Sequence, residues 1–186
     1  SAQGDRYFYV NPLEVWPDNC LPGTSMAHVK PARQGWFGVA CCPANIARTL
    51  ASVGQYIFAQ DEKSVYINQF ISASLKTVIR ETEVRLELQS DLMHSGSIRL
   101  DIDSDKAQPF TIRIRVPDYW EEPVFVLGGK TIAPVVENGY AVVAVSYAGK
   151  QTLTVSGRLT PRWAAASDHV RADAGQVALL YGPYVY

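Results

Sequence analysis

The chain has 186 residues, 47% of them hydrophobic, and a formal net charge of −1 at pH 7. That length and composition suit one hydrophobic core with a small appendage. The near-zero charge provides no long-range attraction for nucleic acid, and no apolar run is long enough to span a bilayer. We therefore expect neither nucleic acid nor a membrane as a partner.

The cysteine content and the first residues leave the cellular compartment open. Three cysteines, two of them adjacent, are not a disulfide framework. Residues 1–6 lack the apolar region of a signal peptide. A cytoplasmic and a periplasmic location are both compatible with these features.

The part of the chain before residue 41 has no sustained hydrophobic period. Residues 7–16 are aromatic and are predicted to be extended, whereas residues 18–34 are predicted to form a loop because prolines and a glycine interrupt them. Cys20 and His28 fall in this loop, and we interpret them as an incidental thiol and a solvated histidine.

A helical pattern follows and predicts one α-helix over residues 43–58. Pro43 suits the first helical position, and apolar residues recur on one helical face, at Ile46, Leu50, Val53 and Ile57. Cys41 and Cys42 thus lie at the helix N-terminus, where unpaired N–H groups and the positive end of the macrodipole favour a thiolate. A thiolate is both a nucleophile and a soft metal ligand, so we expect chemistry at this point of the chain.

Local sequence alone leaves other interpretations of the two cysteines open. Free cysteines are common small core residues, and an adjacent pair can also form a strained vicinal disulfide. A complete zinc site is not evident either, because structural zinc takes four ligands. The remaining candidate ligands are scattered without a recognised spacing, at Cys20, His28, His94 and His169.

From residue 64 the pattern changes from helical to strand periodicity. In residues 84–88, for example, apolar and charged residues alternate. The pattern predicts strands over residues 65–71, 78–88, 97–102, 110–116, 140–146, 151–156 and 177–181, with a hairpin over 124–133 around Gly128-Gly129. Short strands without intervening helices predict a mainly β fold, an antiparallel β-sandwich, preceded by a loop-rich segment and one α-helix. We place the domain boundary between residues 63 and 64.

Arg113 and Arg115 share one face of the predicted strand over residues 110–116. An acidic ligand is one interpretation of such a pair, but a solvated strand face is the more ordinary one.

The cysteine block supports a family resemblance. Residues 36–48, WFGVACCPANIAR, closely resemble the Cys-Cys-Pro-x-Asn-x-x-Arg signature of glycoside hydrolase family 127, the β-L-arabinofuranosidase family. Less specific blocks resemble the family in the same order, at residues 7–13, 65–71, 112–117, 137–141 and 175–183.

The resemblance implies a retaining glycosidase that hydrolyses terminal furanosides through a covalent glycosyl–thiolate intermediate. Cys41 matches the nucleophile, and Cys41 and Cys42 together match zinc ligands of the family. Tyr9 is a candidate for contact with the sugar in an intact barrel. Asn45 and Arg48 also match the signature, and we expect helix-end and packing contacts from them.

The resemblance further implies that the chain is a piece of a longer enzyme. Family members place an (α/α)6 barrel before this point, which carries the pocket, the glutamate acid/base and a Glu-x-Cys pair that completes the zinc site. No Glu-x-Cys occurs here. Residues 1–63 would then be the end of the catalytic barrel, with its last helix, and 64–186 the sandwich. We expect this chain alone to bind zinc weakly, to lack activity, and to pair as a homodimer through the helix.

A different class of function remains open beside the enzyme. A β-sandwich can act on its own as a carbohydrate-binding or interaction module. Tyr119, Trp120 and Trp163 are candidate platforms for stacking on a sugar, although aromatic residues of sandwiches more often belong to the core.

Overall fold

The computed structural model describes residues 1, 3–9, 30, 32–39 and 41–186. These divide into two compact units, Ser1–Val53 and Gly54–Tyr186. The predicted boundary after residue 63 refers to the end of a catalytic barrel and stays a prediction. Most of the predicted loop, with Cys20 and His28, lies outside the described residues. No described helix is long and apolar enough to cross a membrane.

The first unit combines a short N-terminal segment with helix α1 (Cys41–Ser52). An isolated antiparallel bridge joins Tyr7 to Gln34, with two backbone hydrogen bonds of 2.9 Å. Phe37 is 7% exposed and packs against the rings of Tyr7 and Tyr9, with centroid distances of 5.3 and 5.5 Å. These three rings form a small aromatic cluster that fixes the N-terminal segment within its unit.

The helix ends earlier than the sequence pattern predicts. Helix α1 stops at Ser52, a single turn α2 covers Gly54–Ile57, and Phe58 already belongs to a strand. Gly54 has low helix propensity, about 1 kcal/mol below alanine. In addition, Ile57 is buried in the core of the second unit. The apolar spacing of 46–57 therefore spans two elements, of which only α2 contributes a residue to this core.

The second unit consists almost entirely of strands, listed here with one short helix in chain order: β1 Phe58–Gln60, β2 Ser64–Ile67, β3 Ala73–Ile79, β4 Thr82–Asp91, α3 Leu92–Ser95, β5 Ser97–Ser104, β6 Phe110–Arg115, β7 Glu121–Leu127, β8 Lys130–Ile132, β9 Val135–Glu137, β10 Tyr140–Val145, β11 Gly149–Arg158, β12 Pro161–Ala165, β13 Val177–Tyr181 and β14 Tyr184–Val185. A 3₁₀ turn, Arg171–Asp173, precedes β13.

Among the described residues these strands form three sheets. The orders are β1-β2-β6-β10-β9, β3-β4-β5-β11-β7-β8 and β12-β13-β14. Neighbouring strands run antiparallel except for β2 and β6, which pair in parallel. The parallel pair is possible because the β3–β5 segment, which belongs to the other sheet, separates the β1–β2 hairpin from β6 along the chain.

The two larger sheets share one hydrophobic core and form a β-sandwich. In β4, every second residue from Thr82 to Leu88 is buried, which is the alternation expected when one face of a sheet is covered. Fully buried side chains from both sheets belong to a single cluster, with Val65, Ile67, Ile112 and Ile114 from one sheet and Leu86, Leu88, Leu100 and Leu153 from the other. The predicted fold, a mainly β, antiparallel sandwich preceded by an α-helix, is confirmed.

Two strands were predicted to be longer than they are in the structure. The predicted strand over 78–88 is interrupted by Arg80 and Glu81, which have φ angles of 46° and 62° and connect β3 to β4. Two central residues with positive φ are typical of a type I′ hairpin turn, which usually contains asparagine or glycine. The strand predicted over 65–71 ends at Ile67. By contrast, the hairpin around Gly128-Gly129 is present between β7 and β8.

The aromatic residues proposed as sugar platforms have different environments. Trp120 is 5% exposed and stacks on Phe70 at 4.9 Å between ring centroids, so it is a core residue and not a platform. Tyr119 is half-buried against the same core. Trp163, on β12 of the small sheet, is 70% exposed.

Candidate active site

The candidate site lies in the first unit, where Tyr9 meets the start of helix α1. Cys41 is the first residue of the helix and is exposed, and Cys42 is half-buried. The Tyr9 hydroxyl lies 2.7 Å from Cys41 Sγ, within hydrogen-bond distance. Because Phe37 packs against the Tyr9 ring, the aromatic cluster holds the hydroxyl beside the sulfur.

Electrostatics at this contact favour the thiolate. The hydrogen bond with Tyr9, followed by weaker contributions from Cys42 and the backbone, holds the pKa of the Cys41 thiol below its ordinary value. The same contact raises the pKa of the Tyr9 hydroxyl. A hydrogen bond to the charged form stabilises that form, so the contact favours a phenol that donates to a thiolate. The helix N-terminus acts in the same direction.

The other two polar residues of the signature form hydrogen bonds that stabilise the first turns of α1. Asn45 Nδ2 donates to the backbone oxygen of Cys41 at 2.8 Å, and Arg48 Nη1 donates to Asn45 Oδ1 at 2.9 Å. This chain of hydrogen bonds connects the guanidinium to the residue that carries the exposed thiol. Asn45 and Arg48 therefore have the structural role that the sequence led us to expect.

The two thiols are not joined in a disulfide, since both Cys41 and Cys42 are free. Their donor atoms suit a soft metal such as zinc. Across the described residues, however, no group of three or more histidine, cysteine, aspartate or glutamate side chains is placed to hold a metal ion. Of the other candidate ligands, His94 belongs to the short helix α3, and its Nδ1 lies 3.1 Å from Oδ1 of Asp91 at the end of β4. His169 is exposed.

Helix α1 has an exposed apolar face. None of its residues is buried, and Ile46 and Leu50 are 59% and 69% exposed. The predicted homodimer through this helix stays a prediction.

Sequence reasoning named Cys41, Cys42 and Tyr9 as candidates but did not predict the contact between Tyr9 and Cys41. Tyr9 was predicted to contact a sugar, and the structure places its hydroxyl on the Cys41 sulfur, 32 positions away. A signal for this contact exists only in the aromatic spacing of Tyr7, Tyr9 and Phe37, which does not specify a partner for the hydroxyl. The role of Phe37 as support for Tyr9 was missed altogether.

The two outward-facing arginines of β6 make contacts within the sandwich. Arg113 forms an ion pair with Glu137 at 3.1 Å, and Arg115 Nε donates to the Asn68 backbone oxygen at 2.7 Å. These contacts favour a structural role over the recognition of an acidic ligand.

Comparisons with known proteins agree with the sequence signature. Residues 64–169 match the family model described as β-L-arabinofuranosidase, GH127 middle domain. The whole chain is 33% identical to the non-reducing end β-L-arabinofuranosidase of Bifidobacterium longum subsp. longum, and it spans 29% of that protein's length.

Solved structures show the same relationship. A GH127 β-L-arabinofuranosidase from Geobacillus stearothermophilus T6 superimposes with a TM-score of 0.86 at 33% identity, over 98% of this chain and 29% of that protein. A further GH127 β-arabinofuranosidase gives a TM-score of 0.73 at 29% identity, over 84% of this chain and 27% of its own. The chain thus spans under a third of the length of these relatives. It belongs to glycoside hydrolase family 127 and contains the middle domain of that family.

Proposed function

We propose that this chain supplies the nucleophile-bearing segment and the β-sandwich of a retaining β-L-arabinofuranosidase. The observation that carries the proposal is the exposed Cys41 thiol at the start of α1, with the Tyr9 hydroxyl 2.7 Å from its sulfur. Membership of the family and the activity named for the 33% identical Bifidobacterium protein support the choice of reaction and substrate class. The substrate is a glycan with a terminal β-L-arabinofuranose.

The proposed reaction has two displacement steps. The Cys41 sulfur attacks the anomeric carbon, a C–S bond forms, and the C–O bond to the leaving group breaks. The leaving oxygen takes the electron pair and a proton from a general acid, which we assign to the longer protein. Water then attacks the same carbon and gives a proton to the deprotonated general acid, the C–S bond breaks and the thiolate is restored, so that the sugar leaves with retained configuration.

Tyr9 has a positioning role in this proposal. Its hydroxyl donates to the sulfur and favours the nucleophilic thiolate before attack. As the sulfur becomes bonded to carbon it loses its negative charge, and the hydrogen bond from the hydroxyl to the sulfur weakens. We retain the prediction that Tyr9 contacts the substrate, now as a second role beside its hydrogen bond to Cys41.

Zinc is proposed as the metal of the longer enzyme, held in part by Cys41 and Cys42. When bound, zinc keeps cysteine sulfurs deprotonated at neutral pH. Two sulfurs are fewer than the three or four protein ligands of typical zinc sites, so the remaining ligands are assigned to the rest of the enzyme. After dialysis, elemental analysis of the 186-residue chain should find well below one zinc per chain. About one tightly held zinc would show that the chain completes the site itself.

Hydrolysis of an aryl β-L-arabinofuranoside tests the proposal. We expect no turnover by this chain alone, because a general acid typically contributes about 10²–10⁴-fold and a pocket must orient the sugar. A polypeptide extended to the length of the relatives should be active, with activity lost in Cys41→Ala and reduced in Cys42→Ala. Cys20→Ala, which removes the remaining thiol of the chain, is the matched control. Full activity of Cys41→Ala in the extended protein would end the proposal.

A further inference from the structure

A wide cleft lies on the β-sandwich, and the described residues that line it all belong to the second unit. Its volume is about 1190 Å³, and strands β3, β4, β5 and β11 contribute to its lining together with the Gly128-Gly129 turn. Ligand pockets for small molecules commonly measure 300–1,000 Å³, so the space is sufficient for an oligosaccharide of a few units. The hydrolase chemistry proposed above does not use this cleft.

The strand register builds the floor of the cleft from two rows of polar side chains on the sheet face away from the core. In one row, paired residues across four strands are Lys76, Arg85, Asp103 and Lys150. In the next row they are Ser74, Glu87, Asp101 and Thr152. Since neighbouring strands lie about 4.8 Å apart, each row is roughly 14 Å long. The rows thus present hydrogen-bonding groups at regular intervals over the length of a short oligosaccharide.

Some of these side chains are fixed by internal contacts. Asp101 accepts hydrogen bonds from Arg99 at 2.9 Å and from Thr152 at 2.6 Å. The carboxylate of Glu83 lies 3.2 Å from Lys76 and 2.9 Å from Arg85. Such contacts hold the polar groups of the floor in defined positions before a ligand arrives, which reduces the entropy lost on binding.

Lys150 and Asp103 are the side chains of the floor best placed to contact a ligand. They face each other across the β11–β5 ladder, and within the described residues neither side chain has an ion-pair partner. Lys150 is exposed and Asp103 is half-buried. One offers three donors and the other offers acceptors, a combination that matches neighbouring hydroxyl groups.

The rim of the cleft supplies an aromatic ring. Tyr147, in the β10–β11 connection, lines the cleft and is 53% exposed. Its backbone oxygen accepts a hydrogen bond from Ser104 Oγ, which anchors the connection to the sheet. Gln151 lines the cleft beside the Gly128-Gly129 turn. An exposed ring on a connection that is anchored to the sheet, next to polar side chains, provides a surface for the C–H face of a sugar.

The charges of the cleft indicate which class of ligand fits. Its lining holds four basic and three acidic side chains, so neither sign dominates. A nucleic acid or another polyanion would require a surplus of lysine and arginine, and an apolar ligand would require a mostly hydrophobic lining. A neutral, polyhydroxylated ligand can use donors and acceptors together.

We propose that this cleft is a glycan-binding site on the sandwich, formed by Lys150, Asp103 and Tyr147, that takes a neutral oligosaccharide. The proposal goes beyond the hydrolase function and rests on it only for the choice of an arabinose-containing probe. The hydrolysis assay above reports on Cys41 and binding here reports on the sandwich, so the failure of one is distinguishable from the failure of the other.

Titration of the 186-residue chain with arabinotriose, followed through backbone amide NMR signals, tests the proposal. We expect shifts confined to β3, β4, β5, β11, the β10–β11 connection and the Gly128-Gly129 turn, with millimolar affinity. Lys150→Ala and Tyr147→Ala should each weaken binding about tenfold, which is the loss expected from one hydrogen bond to a charged group or one ring contact. The matched controls are Lys130→Ala, on the same sheet outside the lining, and Tyr184→Ala, an exposed tyrosine on the small sheet; both should bind as the parent does.

Three results would overturn the glycan site. The first is an unchanged spectrum at saturating arabinotriose. The second is a set of shifts centred elsewhere, for example around the exposed Trp163 of the small sheet. The third is stronger binding of trigalacturonate or inorganic phosphate than of the neutral sugar, since this would indicate an anion site. The spectrum of the parent chain decides between these results even if a variant fails to fold.

Discussion

The Tyr9 hydroxyl lies 2.7 Å from the Cys41 sulfur, a contact between side chains 32 positions apart. It joins the N-terminal segment to the first residue of α1 and places a hydrogen-bond donor on a sulfur that the helix N-terminus already favours as a thiolate. Phe37 packs against the tyrosine ring and helps to keep it in place. The reactivity of Cys41 therefore depends on residues that precede the signature motif in the sequence.

Alkylation of the metal-free chain should reveal this dependence. At pH 7 iodoacetamide is expected to modify Cys41 faster than Cys42, because Cys41 is exposed and its pKa is lowered by Tyr9, whereas Cys42 is half-buried. Tyr9→Phe removes the donor and should slow modification of Cys41 severalfold. Peptide mapping by mass spectrometry measures both rates. Tyr184→Phe is the control, and equal Cys41 rates in the parent and in Tyr9→Phe would contradict this description of the contact.

Core packing around Trp120 provides a test of the sandwich. A Cβ atom at Gly157 would lie 2.5 Å from the Trp120 ring, so Gly157→Ala should force the indole or the strand to move. Overpacking of this kind typically costs about 1–3 kcal/mol, and the free energy of unfolding, measured by urea denaturation, should fall by that amount. Gly54→Ala is the matched control: nothing lies within 4 Å of its added Cβ, so its free energy of unfolding should not fall. An unchanged stability of Gly157→Ala would show that the indole does not pack as described.

Asp61 should make stability depend on pH at the acidic end. Backbone N–H groups of Lys63 and Ser64 donate to its carboxylate at 2.8 and 2.7 Å, and the Tyr66 hydroxyl donates at 2.8 Å. The hydrogen bond from Lys63, followed by the one from Tyr66, holds the pKa of Asp61 below its ordinary value. A lowered folded-state pKa stabilises the fold above the unfolded value of about 3.9, and this stabilisation is lost as the pH falls through the folded pKa.

The measurement is the melting temperature between about pH 5 and pH 2.5, a range that brackets the unfolded-state value. The parent chain should lose more of its melting temperature over this range than Asp61→Asn does, because the variant has no carboxylate to protonate. Asp168→Asn, at an exposed position, serves as the control and should follow the parent. Parallel curves for the parent and Asp61→Asn would show that these hydrogen bonds do not favour the charged carboxylate.

The fold was predictable where periodicity and burial agree. In β4 the alternation of Val84, Leu86 and Leu88 with charged residues predicted a strand with one covered face, and these three side chains belong to the core. The Gly128-Gly129 pair likewise predicted its hairpin, because glycine tolerates the positive φ angles of 56° and 79° found there.

Features that depend on tertiary neighbours were not predictable from local sequence. Arg80 and Glu81 adopt positive φ without the usual turn residues, so the β3–β4 turn gave no signal. The polar rows of the cleft arise from the register between strands that are distant in the chain, such as β5 and β11. Similarly, Pro43 indicated that Cys41 lies at the start of a helix. The hydrogen bond between Cys41 and Tyr9, however, could be recognised only in the folded first unit.

The central claim is that Cys41 is the nucleophile of a retaining β-L-arabinofuranosidase. The most direct measurement is mass spectrometric mapping of the covalent intermediate, trapped with a slowly hydrolysed β-L-arabinofuranoside on a polypeptide extended to the length of the relatives. We expect one pentosyl adduct on the peptide that contains Cys41, absent in Cys41→Ala and present in Cys20→Ala. An adduct on any other residue, or product formed with inverted configuration and no adduct, would contradict it.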